Sequence, residues 1–269
     1  MKRIRLTVAY DGTNYCGWQI QPNGITIQEV LENCLEDLTG KKTPVMGASR
    51  TDAGVHALGN VAVFDTDMRM PGEKFSFALN QRLPEDIRIQ KSEEVPLDFH
   101  PRYRESEKTY EYKILNRQFP IPTQRLYTHF TYMPLDIGKM RDAGKYLVGE
   151  HDFKSFCGTG AQVKTTVRRV EEVCISREDP FITIKIRGKG FLYNMVRIIA
   201  GSLMEIGQGM YPPEHMKEIL EAKDRQAAGM TVPRQAAGPT APARGLTLVG
   251  IRYLEEETEG PDPGKISET

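Results

Sequence analysis

Cysteine is scarce in this chain: there are four in 269 residues, and no two form a CxxC pair. Cys16, Cys34, Cys157 and Cys174 lie far apart, so neither a zinc ribbon nor a disulfide framework is indicated. The five histidines, His56, His100, His129, His151 and His215, show no ligand spacing, and no metal is expected. A P-loop and a GxGxxG turn are both missing, so no nucleotide cofactor is implied. Apolar runs are too short to cross a bilayer. Met1-Lys2-Arg3-Ile4-Arg5 runs straight into strand alternation, unlike a signal peptide, and the expected compartment is the cytoplasm. Charge of neither sign dominates, with 36 Lys and Arg against 36 Asp and Glu. That average hides an asymmetry. The stretch from Leu254 to Thr269 carries six acids and one base, without aromatics, and reads as a disordered tail. Without it, 35 basic and 30 acidic residues remain. The body is mildly basic, which permits RNA binding without requiring it.

The pattern along the chain is that of an α+β protein in two similar halves. Arg3–Tyr10 alternates as a half-buried strand. Thr26 with Glu29 forms a capping box, and Gly40 is a C-terminal stop. Ile27, Val30, Leu31, Cys34, Leu35 and Leu38 share one face of the helix between them. A strand at Val61–Asp65, a helix at Glu73–Arg82 and a strand at Ile87–Gln90 complete a first half over residues 1–98. The second half, 99–253, holds strands at Thr109–Leu115, Val170–Ser176, Phe181–Arg187 and Leu246–Tyr253. Its helices are expected after Asp136, over Tyr193–Ile206 and over Glu214–Lys223. Arg225–Arg244 is rich in Gly, Ala and Pro and reads as a long loop. Residues 254–269 form the acidic tail.

Three segments concentrate chemistry. Ser49-Arg50-Thr51-Asp52-Ala53-Gly54-Val55-His56 places a carboxylate beside an arginine among small residues. The plain reading is a turn aspartate bonding its own backbone; the functional one is an Asp presented to something large. Arg197 sits in the first turn of a helix that is apolar nearly all round. A guanidinium there needs a carboxylate or phosphate partner, and it lies near a helix end that could open on a cleft; a structural ion pair or a snorkelling end is the plainer alternative. Pairing with Asp52 would keep that carboxylate ionised. In Lys108-Thr109-Tyr110-Glu111-Tyr112, alternation puts Lys108, Tyr110 and Tyr112 on one strand face. Together with Arg102-Tyr103-Arg104 they could stack a base and hold phosphate; a tyrosine packed on the sheet is the simpler alternative. Arg102, Arg104, Lys164, Arg168, Arg169, Lys185, Arg187 and Lys189 are candidates for phosphate contact.

Taken together, these segments resemble the tRNA pseudouridine synthase A family. The resemblance runs through Tyr10-Asp11-Gly12-Thr13-Asn14-Tyr15-Cys16-Gly17-Trp18-Gln19, the Asp52 loop, Phe99–Tyr112, His151–Phe156, Gly190–Gly201 and Ala241–Leu246, which leaves out little but the acidic tail. One departure is Ser49, where the family pattern has Gly. The resemblance implies two RRM-like (ferredoxin-like) halves joined into a continuous, mainly antiparallel sheet with flanking helices and a central active-site cleft. It implies isomerisation of uridine to pseudouridine in the tRNA anticodon stem-loop, at positions 38 to 40, without cofactor or metal, by a homodimer. On this resemblance Asp52 takes the nucleophile position, Tyr110 that of the active-site tyrosine, and Arg197 that of the arginine paired with the aspartate. Arg50 matches the arginine holding the flipped nucleotide, and Arg102 and Lys108 join it as substrate-binding residues. An RNA-binding module without catalysis and a metal-dependent hydrolase are the competing classes.

Overall fold

The computed structural model describes residues 1–158, 163–223 and 237–254. The acidic stretch from 255 onward and most of the expected long loop, residues 224–236, lie outside the described residues. The described elements are β1 (Lys2–Tyr10), α1 (Ile27–Thr39), β2 (Met46–Gly47), β3 (His56–Thr66), α2 (Phe75–Asn80), β4 (Ile87–Val95), β5 (Ser106–Asn116), β6 (His129–Thr131), α3 (Ile137–Lys145), β7 (Gly149–Asp152), β8 (Val167–Glu178), β9 (Phe181–Lys189), α4 (Met195–Gly207), α5 (His215–Ala222) and β10 (Leu246–Tyr253). The capping signals fall where the sequence places them. Thr26 accepts from the Glu29 N–H, Gly40 closes α1 in the left-handed conformation, and Asp136 accepts from the Lys139 N–H.

All ten strands form one sheet, whose main path runs β4-β1-β3-β10-β5-β9-β8-β7, with β2 on β3 and β6 on β5. The two halves repeat one topology. In the first, β1 to β4 lie in the order β4-β1-β3-β2; in the second, β5, β8, β9 and β10 lie as β10-β5-β9-β8. Each is the 4-1-3-2 order of a split βαβ unit, with α1 and α2, or α3 and α4, as its crossovers. The duplication is therefore one of fold, with no sequence repeat to announce it.

The halves join through β3. One edge of β3 pairs with β1. The other is shared: β2 covers Ala62 and Val63, and β10 covers His56 and Ala57 in parallel. The loop from β2 to β3, which holds Asp52, leaves the sheet where these two partners meet. β10 then pairs antiparallel with β5, setting Leu248 opposite Tyr110. One strand thereby fixes the Asp52 loop and Tyr110 in a common register.

One face of the sheet packs against the helices. Ile4, Leu6, Val8, Phe64, Ile182, Ile184 and Ile186 meet Leu31, Leu35, Ile198, Ile199 and Leu203 in the main core. On the other face of β1, Arg3 pairs with Asp65 at 2.7 Å and Arg5 with Glu93 at 2.8 Å. β3 starts at His56 rather than Val61, because the polar His56 and Asn60 interrupt the alternation. α2 is shorter than the span Glu73–Arg82, whose first turn is a 3-10 turn, Gly72–Lys74. β2, β6 and β7 are too short to leave a periodic signal.

Glu107 ties the middle of the sheet together. It is buried and accepts from Arg187 on β9 at 2.7 Å and from Arg252 on β10 at 2.8 Å. Burial alone would raise its pKa; the hydrogen bonds from Arg252 and Arg187 overcome this and hold it below the ordinary range. Because the folded pKa is depressed, its stabilisation is complete above the unfolded value of about 4.3 and disappears as pH falls through the folded one. Glu107→Gln is expected to lower unfolding stability by about 1–3 kcal/mol at pH 7. The difference from wild type should vanish below that window in urea titrations run at several pH values.

Candidate active site

The Asp52 loop is held from below by polar side chains of the sheet. Tyr10 shares a 2.7 Å hydrogen bond with Thr51. Asn60, fully buried, donates to the Ser49 carbonyl at 3.1 Å and accepts from the Ser49 N–H at 3.3 Å. From the side, the loop after β1 packs backbone against backbone. The Trp18 N–H donates to the Thr51 carbonyl at 3.0 Å and the Gly54 N–H to the Tyr15 carbonyl at 3.3 Å. A Cβ on Gly12 would lie 2.0 Å from the Val55 carbonyl oxygen. Gly17 adopts φ +89°, and a Cβ there would lie 2.6 Å from the Thr51 carbonyl oxygen. These glycines let two loops touch along their main chains. His56 extends the clamp: Nδ1 accepts from the Gly12 N–H at 3.1 Å, and Nε2 lies 3.0 Å from the Leu126 carbonyl.

The two halves bring together the residues singled out in the sequence. Asp52 and Arg197 form an ion pair at 3.2 Å, with side chains 20% and 17% exposed. Arg197 also donates to Asn194 Oδ1 at 2.8 Å and, through Nε, to the Ala241 carbonyl at 2.7 Å. Asn194 stands just before α4 at φ 60°, a conformation uncommon for a residue with a side chain. Burial raises the pKa of Asp52, and the charge and hydrogen bond of Arg197 only partly restore it. The pair therefore moderates the cost of a desolvated carboxylate without cancelling it.

Tyr110 is 9% exposed, its ring edge-on to Phe191 with centroids 5.1 Å apart. Burial pushes its phenol up to about 12; the Ser49 hydroxyl opposes that shift and the Asp52 charge adds to it. Lys108 donates to the Ala48 carbonyl and Arg102 to the Gly47 carbonyl, each at 3.1 Å. Both cations thus brace the start of the Asp52 loop. Burial, with Arg102 nearby, lowers Lys108 to about 8; burial and then Arg50 lower Arg102. Tyr112 does not extend the aromatic platform. It is completely buried and donates to the Pro242 carbonyl at 2.9 Å.

Asp52, Arg50, Arg102, Lys108 and Tyr110 line one cleft of about 660 Å³, together with Arg168, Phe191 and Tyr193. That volume suits a nucleotide-sized ligand. Among the described lining residues four are cations and one is an acid. Four of the other basic candidates pair with acids: Arg104 with Asp98, Arg169 with Glu171, Arg187 with Glu107 and Lys189 with Glu105; Lys164 and Lys185 do not line the cleft. No three His, Cys, Asp or Glu residues converge among the described residues.

The family model for tRNA pseudouridine synthase matches residues 6–104 and 143–254. The chain belongs to the tRNA pseudouridine synthase family. The tRNA pseudouridine synthase A of Acetivibrio thermocellus is 46% identical over 253 residues, covering 94% of this chain and all of that protein. The protein of the same name from Ruminiclostridium cellulolyticum is 48% identical over 255 residues. tRNA pseudouridine synthase A 2 of Clostridium perfringens is 47% identical over 233 residues, or 87% of this chain and 96% of that one.

Some parts of the site escaped the sequence reading: Tyr10 and Asn60 as loop supports, Asn194 as a partner of Arg197, and the Ala241 carbonyl. Tyr10, Asn194 and Ala241 lie within the resembling segments, which is the one signal that could have drawn attention to them. Tyr10→Phe removes the bond to Thr51 and a partner of Asn60. It is expected to lower unfolding stability by about 1–2 kcal/mol; an unchanged melting curve would show that these bonds do not hold the loop.

Proposed function

We propose that this enzyme isomerises uridine to pseudouridine in the anticodon stem-loop of tRNA, at positions 38 to 40, with Asp52 as its nucleophile. The observation that carries this reading is the Asp52–Arg197 pair, 3.2 Å apart, on a cleft lined, among the described residues, by four cations and one acid. A base must leave its stack to reach a carboxylate so enclosed, at about a few kcal/mol. Arg50, exposed on the lip, takes up the space vacated and holds the backbone. The uracil lies against the accessible edge of Tyr110, whose phenol stays protonated near neutrality and serves as a hydrogen-bond donor to the turning base. The C1′–N1 glycosidic bond breaks, the uracil rotates and a C1′–C5 bond forms; C5 then gives up its proton to solvent and N1 takes one up, so that the product is an isomer. Attack on the ribose C1′, attack on the base C6 and assisted elimination to a glycal all require Asp52 ionised, and Arg197 favours that form. Arg102, Lys108 and Arg168 contact the phosphates on either side of the flipped nucleotide. The first half, 1–98, supplies the nucleophile loop, and the second, 99–253, supplies Tyr110 and Arg197. Two copies of the chain act on one tRNA in the cytoplasm.

Asp52→Asn keeps the size of the side chain and removes the nucleophile. Pseudouridine formation on transcribed tRNA is expected to fall by about 10³-fold or more, with tRNA affinity within about threefold of wild type by filter binding. Turnover retained in that variant would exclude the nucleophile role.

Lys108 supplies a pH test. Its ammonium carries positive charge below about 8 and loses it above. Affinity for tRNA at fixed salt is therefore expected to weaken as pH rises through about 8. Lys108→Arg, which stays charged, should flatten that step. A step persisting in Lys108→Arg would assign it to another group.

A further inference from the structure

Before it enters β10, the chain runs along α4 towards the N-terminus of that helix, and the two are fitted to each other closely. The Gly238 N–H donates to Ser202 Oγ at 2.9 Å, and the Ser202 hydroxyl donates to the Ile198 carbonyl at 3.0 Å. At Gly201 a Cβ would lie 1.8 Å from the Pro239 carbonyl oxygen, so helix and strap meet backbone to backbone. Further along, the Ala241 N–H donates to the Arg197 carbonyl at 3.1 Å, and Arg197 Nε returns a bond to the Ala241 carbonyl at 2.7 Å. Ala237 and Ala241 are each 2% exposed, sealing the contact. Packing alone would need the apolar contact. The reciprocal pair at Ala241 does something else: it fixes the Nε edge of a planar guanidinium, and thereby the direction in which its other nitrogens point.

We infer that Gly201 and Ser202 are positioning residues, which seat the strap on α4 so that the Ala241 carbonyl holds the Arg197 guanidinium against Asp52. The catalytic consequence rests on the proposed role of Asp52. Among the described residues nothing else fixes Nε, since the other two bonds of the guanidinium both leave Nη1, one to Asp52 and one to Asn194. A guanidinium freed at Nε would turn, lengthen its contact to Asp52 and leave that carboxylate nearer to its desolvated state. The titratable and charged groups facing Asp52 are Arg197 from α4 and Tyr110 from β5, with Arg50, Arg102, Lys108 and Arg168 on the same cleft.

The test is titration of the Asp52 carboxyl by 13C NMR in the full chain, with its resonance assigned by its loss in Asp52→Asn. Ser202→Ala deletes the acceptor for the Gly238 N–H, and Gly201→Ala forces the Pro239 carbonyl away. In both variants the Asp52 midpoint is expected to rise by at least about half a pH unit. kcat should fall about tenfold or more with KM for tRNA within about twofold. Should Gly201→Ala fail to fold, Ser202→Ala decides alone. A midpoint equal to wild type in the folded variants would overturn the inference, whatever happens to their stability. The outcome is separable from the proposed function. A flat titration beside an inactive Asp52→Asn removes only the strap, whereas an active Asp52→Asn removes the nucleophile and leaves the titration standing.

Discussion

The structure turns on one ion pair whose members are brought from opposite halves of the chain. Asp52 stands on a loop of the first half, and Arg197 in the first turn of a helix of the second. Neither residue is tolerable alone at its depth. A guanidinium in an apolar helix and a carboxylate largely out of water both need a partner of opposite charge. Their meeting depends on the continuous sheet. β10 lies against the first residues of β3 on one side and against Tyr110 on the other. A slip of one residue in either pairing would turn side chains to the opposite face and part the pair. The requirement for a poised carboxylate and the fusion of two split βαβ units are thus the same constraint seen at two scales.

The small residues around Asp52 follow from it. A loop pressed between two β-partners cannot be stiffened by side chains of its own without filling the cleft it borders. Its rigidity is imported instead. Tyr10 and Asn60 reach it from the strands, Lys108 and Arg102 brace its carbonyls, and the loop after β1 lies on it through Gly12 and Gly17. Support from outside leaves the cleft open while holding the Asp52 loop in one geometry.

What could be read in the sequence follows from which interactions have side-chain signatures. The ends of α1 and the start of α3 were legible because Thr26, Gly40 and Asp136 act locally, within a few residues of the backbone groups they satisfy. Arg197 was legible because a cation among apolar neighbours is an anomaly that demands a partner, and Asp52 was a carboxylate available to supply one. The central place of β10 was not legible: Leu246–Tyr253 alternates like any strand, and alternation carries no information about neighbours. Arg187 and Lys189 had the look of RNA contacts, but cross-strand carboxylates claim them, and that pairing exists only once β5 and β9 are aligned. The hold of Ala241 on Arg197 lay beyond reach for a different reason, since a backbone carbonyl is the same at every residue.

The distribution of charge over the folded body follows from the same geometry. Acids are not spread evenly over the surface. Asp65, Glu93 and Glu107 are spent on arginines of the sheet face turned away from the main core, and Glu105 on Lys189. In the cleft the heads of Arg102 and Lys108 each give one hydrogen bond to a main-chain carbonyl, and among the described residues neither has a carboxylate partner. A hydrogen bond to a carbonyl and neutralisation of charge are separate conditions, and the cleft supplies the first without the second. Burial above all, and then repulsion from the nearby Arg102, makes the charge of Lys108 costly and lowers its pKa. A phosphate backbone entering the cleft relieves that repulsion and gains the attraction of both charges. A chain of no net charge can therefore bind a polyanion at one place on its surface, because what draws the ligand is the segregation of charge and not its sum.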